Sequence, residues 1–313
     1  MTTRKGRLFF LVATAFLTLA PMAWGQRYSD WRIYRAADGL AESPCVSVTV
    51  GVNEKVLAKH INVDSISELN GYSVASFDSP EVGRNRVYES SGGQLWTAVT
   101  GGIEEFQNGA WRLHPIPEIA ALYQGVVPAT VAPVPIQVVR QSRVLILVPD
   151  KLIEFNTENP NQPRTIVLQT AERSGLQKFL GMTPARDGSL WISGARGVER
   201  STSAIRNLKL STEWRQFLPP PMLEAGNFQQ PLADIDADGV TFAADSLSSE
   251  QKLVVHFDGQ NWTTQPMDGQ KIRGAWRGAE GVTWVATINA LFQIDNSDSA
   301  GPESEEFSTG HYF

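Results

Sequence analysis

Apolar and polar residues alternate along this chain in short runs broken by Gly, Asp and Asn turns, and the arrangement recurs. The clearest copy is Asp187-Gly188-Ser189-Leu190-Trp191-Ile192-Ser193-Gly194-Ala195-Arg196-Gly197-Val198-Glu199-Arg200. It reads as a tight turn, an apolar strand carrying a Trp, a second turn and another short strand. Gly92-Gly93-Gln94-Leu95-Trp96 and Glu280-Gly281-Val282-Thr283-Trp284 match its start. Asp238-Gly239-Val240-Thr241-Phe242 matches with Phe in the Trp place, and Asn53 to Leu57 and Gln141 to Leu145 are weaker copies. The units begin at 53, 92, 141, 187, 238 and 280, a spacing of 39 to 51 residues. That is the length of a four-stranded propeller blade, not of a helical repeat.

The rest of each unit supports the same reading. An apolar residue follows the key one by seven places: Ile103 after Trp96, Leu152 after Leu145, Val198 after Trp191 and Leu291 after Trp284. Trp111, Trp214 and Trp262 then mark a fourth strand, two of them after an Asn-Gly or Asp-Gly turn (Asn108-Gly109, Asp258-Gly259). Such dipeptides favour a hairpin. The predicted fold is an all-β propeller of four-stranded blades with six recognisable units, and Trp96, Trp191 and Trp284 are expected in the packing between blades. Trp31-Arg32-Ile33-Tyr34 reads as a fourth strand that completes the last blade and closes the ring. The acidic segment Ser297 to Ser308 reads as a loop. Ile119 to Tyr123 reads as one helical turn within a Pro-rich linker. Phe307 to Phe313 lies where the leading strand of a seventh unit would begin, so the chain is expected to continue past Phe313, with the next turn near 319 to 331.

The first residues belong to a different pattern. Arg4, Lys5 and Arg7 precede the apolar run Leu8 to Ala20, and Ala23-Trp24-Gly25 has the small-x-small form of a cleavage site. Residues 1–25 read as an export signal and 26–313 as one propeller domain. The apolar run is short of the ~20 residues of a membrane span, and no other segment reaches that length. The formal charge of −6 becomes about −9 without the signal, which argues against nucleic acid as a partner. The single Cys45 cannot form an internal disulfide and is expected to be buried.

The blade pattern resembles that of the two-component regulator propeller proteins. The residues that carry the resemblance are Trp31-Arg32-Ile33-Tyr34 with Asp38-Gly39-Leu40, Gly92 to Trp96 with Gly102-Ile103, and Asp187 to Trp191 with Gly197-Val198. It spans residues 31 to about 294. The resemblance implies an extracytoplasmic ligand-sensing propeller, periplasmic or extracellular, acting through downstream histidine kinase signalling parts. The chain itself carries no phospho-accepting His box and no nucleotide-binding motif.

Candidate chemistry is sparse. His60, His114, His256 and His311 fall in different units with no metal-ligand spacing, and surface or loop positions are expected for them. Asp234-Ile235-Asp236-Ala237-Asp238-Gly239 nearly fits a calcium loop, but strands flank it, and Asp238-Gly239 reads better as the hairpin turn of the repeat. No nucleophile motif occurs, so neither a metal nor a cofactor is expected. The alternatives are an exported propeller enzyme, a lyase or glycan hydrolase, and a scaffold binding protein partners on its rim. If each Asp-Gly hairpin joins strands one and two, the turns between strands two and three open on the opposite mouth, together with the linkers between blades. That mouth would present Thr100, Asp150, Lys151, Arg196 and Asn289 from the turns, and Asp38 and His114 from the linkers. The mixture suits a small polar ligand.

Overall fold

The computed structural model describes residues 34–308 apart from 52–54, 72, 82, 160, 220–231, 234–238, 246–251, 268–271, 278–281, 288–289 and 295–303. It is a six-bladed propeller of four-stranded antiparallel sheets, each formed by strands consecutive in sequence. Blade one is Cys45–Val50, Val56–His60, Ser65–Asn70 and Ser73–Asp78 (β1–β4). Blade two is Val87–Glu89, Leu95–Val99, Gly102–Gln107 and Ala110–Pro115 (β5–β8). Blade three is Ile136–Arg140, Arg143–Val148, Lys151–Asn156 and Arg164–Thr170 (β9–β12). Blade four is Phe179–Pro184, Leu190–Gly194, Gly197–Ser201 and Trp214–Phe217 (β13–β16). Blade five is Leu232–Ala233, Val240–Asp245, Lys252–Phe257 and Trp262–Met267 (β17–β20). Blade six is Ile272–Arg277, Thr283–Thr287, Ala290–Ile294 and Ser304–Ser308 (β21–β24). Helix is rare: Pro117–Leu122 (α1) in the linker from blade two to three, where one turn is predicted, and Ala171–Ser174 (α2) in the next linker.

First strands of successive blades abut, which places them at the centre. Alternation along the second strands then fills the space between blades. In β14, Leu190 and Ile192 pack back onto blade three, whereas Trp191 packs forward onto Val240, Phe242, Val255 and Phe257 of blade five. Trp96 occupies the same place in blade two and packs forward onto Val144, Ile146 and Phe155. Both Trp side chains are fully buried.

The structure corrects four expectations. Trp284 keeps the equivalent place in β22 but is half-buried. Val285 beside it packs back onto blade five, so Trp284 points forward, where the described residues form no apolar cluster. Phe242 does not stand in for Trp191. Blade five is slipped by one residue, so Phe242 faces back into the Trp191 interface and Ala243 takes the forward side. A one-residue slip exchanges the faces of a strand. The closing strand of blade six is Ser304–Ser308, paired with β23 through Leu291 and Phe307. The segment read as a loop is therefore partly a strand, and Phe307 belongs to blade six rather than to a seventh unit. Of the segment expected to close the ring only Tyr34 is described, outside any strand; Trp31 to Ile33 and 309–313 lie outside the described residues. Lastly, Cys45 is exposed, at the end of β1 where the register is irregular.

Local turn chemistry agrees with the sequence. Asn108 and Gly109 have φ of 56° and 81°, the left-handed pair that a two-residue hairpin between Gln107 and Ala110 requires. The second glycine of the repeat is fixed by close packing. A Cβ on Gly197, whose φ is 141°, would lie 2.5 Å from the Phe217 carbonyl oxygen in the fourth strand. Gly197→Ala is expected to lower stability by on the order of 1–3 kcal/mol, while Gly109→Ala, with nothing within 4 Å, suffers backbone strain alone. Denaturant midpoints of the two variants test this.

Candidate functional site

Because every blade runs through four antiparallel strands in order, its turns alternate between the two ends of the ring. The Asp187-Gly188 hairpin and the turns between strands three and four open on one end. The turns between strands two and three, and the linkers between blades, open on the other.

A cleft of ≈660 Å³ opens on this second mouth between blades three and four, lined by Asp150, Lys151, Thr170, Glu172, Gln177 and Arg196 among others. Three of the predicted residues, Asp150, Lys151 and Arg196, thus share one site. Lys151 and Asp150 form an ion pair at 3.2 Å, and Arg196 is exposed on the facing turn. In the orientation that satisfies both groups, the Gln177 side-chain oxygen accepts from Arg196 Nε at 2.9 Å and from its Nη2 at 2.6 Å. The site is open and polar, with donors of both cationic side chains available to a ligand.

The other predicted residues do not line this cleft. Thr100 is on the same mouth, and its backbone N–H donates to Glu81 Oε2 at 2.9 Å. Asp38 caps the 3₁₀ turn Ala36–Asp38, its carboxylate accepting from the Arg35 N–H at 2.8 Å. His114 is turned inward, buried against Trp96 and Phe155 with ring-centroid distances of 5.7 Å and 5.1 Å, and its Nε2 lies 3.1 Å from Glu105 Oε2. Asn289 lies outside the described residues, as do Asp234, Asp236 and Asp238 of the calcium-like stretch and His311. His60 is fully buried between the Pro44 carbonyl and the Ser67 hydroxyl, so neither it nor His114 is at the surface as expected. Both are held in the sheets by hydrogen bonds, which is how buried polar groups persist. No group of three or more His, Cys, Asp or Glu able to hold a metal occurs among the described residues.

A second cavity on the same mouth escaped the sequence reading. It measures ≈570 Å³ between blades one and two and is lined by Lys59, Ile61, Glu81, Arg84, Asn85, Ala98, Tyr123, Val127, Pro128 and Val131. Leu57 packs forward into the core shared with blade two. Lys59, two places on, emerges on the same face where that core gives way to the cavity. It is only 1% exposed. Burial pulls the Lys59 ammonium below its ordinary pKa, and the charges of Glu81 and Asp64 partly offset this. The sequence signal was available. Other units have Ala98, Leu147, Ser193 and Ala286 at the corresponding place, so a lysine there stands out.

The same fold occurs in proteins of known structure. Among them are the extracellular domains of bacterial sensors. That of BT3049 of B. thetaiotaomicron, described as a hybrid two-component system, aligns at a TM-score of 0.56 and 14% identity over 90% of this chain and 36% of that one. That of BT4673 of the same organism, described as a one-component system, gives 0.57 and 13% over 87% and 34%. This chain thus spans about a third of either domain. A virginiamycin B lyase from Staphylococcus aureus aligns at 0.58 and 14% identity over 85% of this chain and 84% of that one. At these identities the likeness is one of fold. No family model matches the sequence, and no curated protein is similar to it. Among the described residues no helix is long and apolar enough to cross a membrane.

Proposed function

We propose that the chain is an extracytoplasmic ligand-sensing propeller that takes a small polar ligand at the second mouth and passes its occupancy to downstream signalling parts. The observation that carries this reading is the convergence of Asp150, Lys151 and Arg196 on one cleft at that mouth. The mixed polar lining matches the few well-placed polar groups of ligand sites. Two further features support it: the export-signal pattern of residues 1–25, and a fold shared with extracellular sensor domains. Ligand occupancy acts on the signal by favouring one arrangement of the propeller relative to the downstream parts.

The lyase has the same fold, so a lyase-type enzyme is the second reading. It requires acids or histidines converging at a mouth and turnover of the bound compound. The test is binding by the mature chain to a library of sugars, amino acids and small acids, read by thermal shift. Arg196→Ala and Lys151→Ala are expected to weaken a hit in the cleft of blades three and four tenfold or more. Gln260→Ala, on an exposed turn of the opposite end, should leave it unchanged. Loss of binding on Gln260→Ala with no effect of the other two would overturn the assignment of mouths.

A further inference from the structure

We propose that the cavity between blades one and two binds a small organic monocarboxylate with an apolar body, its carboxylate seated on Lys59. The proposal deepens the sensing reading and rests on it for the mouth that the ligand uses. It assigns a different cavity from the cleft at Arg196, and a ligand class.

Three observations converge on it. The first is the unmatched cation. Lys59 is buried and lines the cavity, yet among the described residues it makes no hydrogen bond and no ion pair. A buried charge is otherwise paired, because desolvation penalises it heavily. An anion brought by the ligand supplies the missing partner. The nearby carboxylate of Glu81 does not fill this role at contact distance; its Oε2 accepts the Thr100 N–H instead.

The second is a prepared neutral donor. Asn85 is itself buried, and its Oδ1 accepts from the Val134 N–H at 2.8 Å. That bond fixes the amide so that its Nδ2 donates to the Tyr123 hydroxyl oxygen at 3.1 Å. With its oxygen already accepting, and with no acceptor for its proton among the described residues, the Tyr123 hydroxyl can give that proton to the cavity. A carboxylate can take one bond from Lys59 and another from Tyr123.

The third is the character of the walls. Ile61, Ala98, Val127, Pro128 and Val131 give the cavity a partly apolar lining. An aliphatic or aromatic body fits there. The charges set the valence of the ligand. Lys59 and the rim residue Arg84 are opposed by Glu81 and by Asp64, so the site has no excess of positive charge and disfavours a dianion such as phosphate. A volume of ≈570 Å³ lies within the usual range of sites for small ligands.

The test is calorimetric titration of the mature chain with hexanoate, benzoate and phenylacetate, each beside its neutral amide. The acids are expected to bind and the amides to bind at least tenfold more weakly. Lys59→Met should weaken the acids at least tenfold, and Tyr123→Phe several-fold. Tyr123→Phe keeps the proposal open to refutation even where Lys59→Met does not fold. Equal affinity of acids and amides overturns the proposal, as does unchanged acid binding in Lys59→Met, or in Tyr123→Phe where Lys59→Met does not fold. If the acids fail to bind while a neutral sugar binds at Arg196, this proposal falls and the sensing reading stands. If no compound of any class binds at either cavity, both fall.

Discussion

Trp191→Ala is expected to destabilise the propeller by roughly 3–5 kcal/mol, the usual loss when a buried aromatic is deleted from a core. The side chain is fully buried at the junction of blades four and five, with the Phe217 and Phe257 rings 5.7 Å and 6.0 Å away. The Arg200 guanidinium lies 5.2 Å from its ring centroid and also bonds Asp187, so the deletion loosens the hairpin as well as the interface. Trp284→Ala removes the same residue at the equivalent place in blade six, where it is half-buried, and should cost clearly less. Urea unfolding of both variants measures the difference. Equal losses would mean that the two Trp positions are packed alike, against the burial seen in the two blades.

Glu199→Gln should raise stability above neutral pH and flatten its pH dependence. Glu199 is 1% exposed, with Oε2 accepting from Gln169 Nε2 at 3.2 Å and Oε1 without a partner among the described residues. Desolvation raises its pKa from 4.5 to about 7, against the smaller opposing effects of the Gln169 hydrogen bond and the Arg173 charge. The folded state thus holds this proton more tightly than the unfolded chain. Between pH ~4.5 and ~7 the folded state binds more protons, so this residue makes stability fall as pH rises, by about 3 kcal/mol in total, and the loss levels off above the folded pKa. The Gln variant carries no such proton. Identical stability slopes across that window for wild type and variant would contradict this role of Glu199.

Much of the architecture was legible because a propeller repeats its local chemistry. Turn, Trp strand, turn and Gly-led strand recur at fixed offsets, so six blades and the two alternating ends of the ring follow from spacing alone. Position within the interface was less legible. Phe242 matches the Trp place by distance from its turn, yet a slip of one residue sends it to the opposite face, and counting from a turn does not register such a slip. The closing strand was misread because Ser304–Ser308 is polar and acidic. It is an outer strand, where backbone pairing with β23 rather than apolar content defines it. At the mouth, topology located the turn residues Asp150, Lys151 and Arg196. It did not show that His114, next to a linker, turns inward to stack on Trp96. Lys59 was missed because the first unit matches the repeat weakly, so its inward register was not followed two places past Leu57.

The most direct test of ligand sensing is hydrogen exchange of the mature chain with and without a compound found by thermal shift, together with mass analysis of the recovered compound. A sensing propeller is expected to return the compound intact. New protection is expected on the second-mouth turns and linkers, around Glu81 to Asn85, Thr100, Lys151 and Arg196. A compound that is chemically converted, or protection at the Asp187-Gly188 and Asp258-Gly259 turns instead, would contradict it.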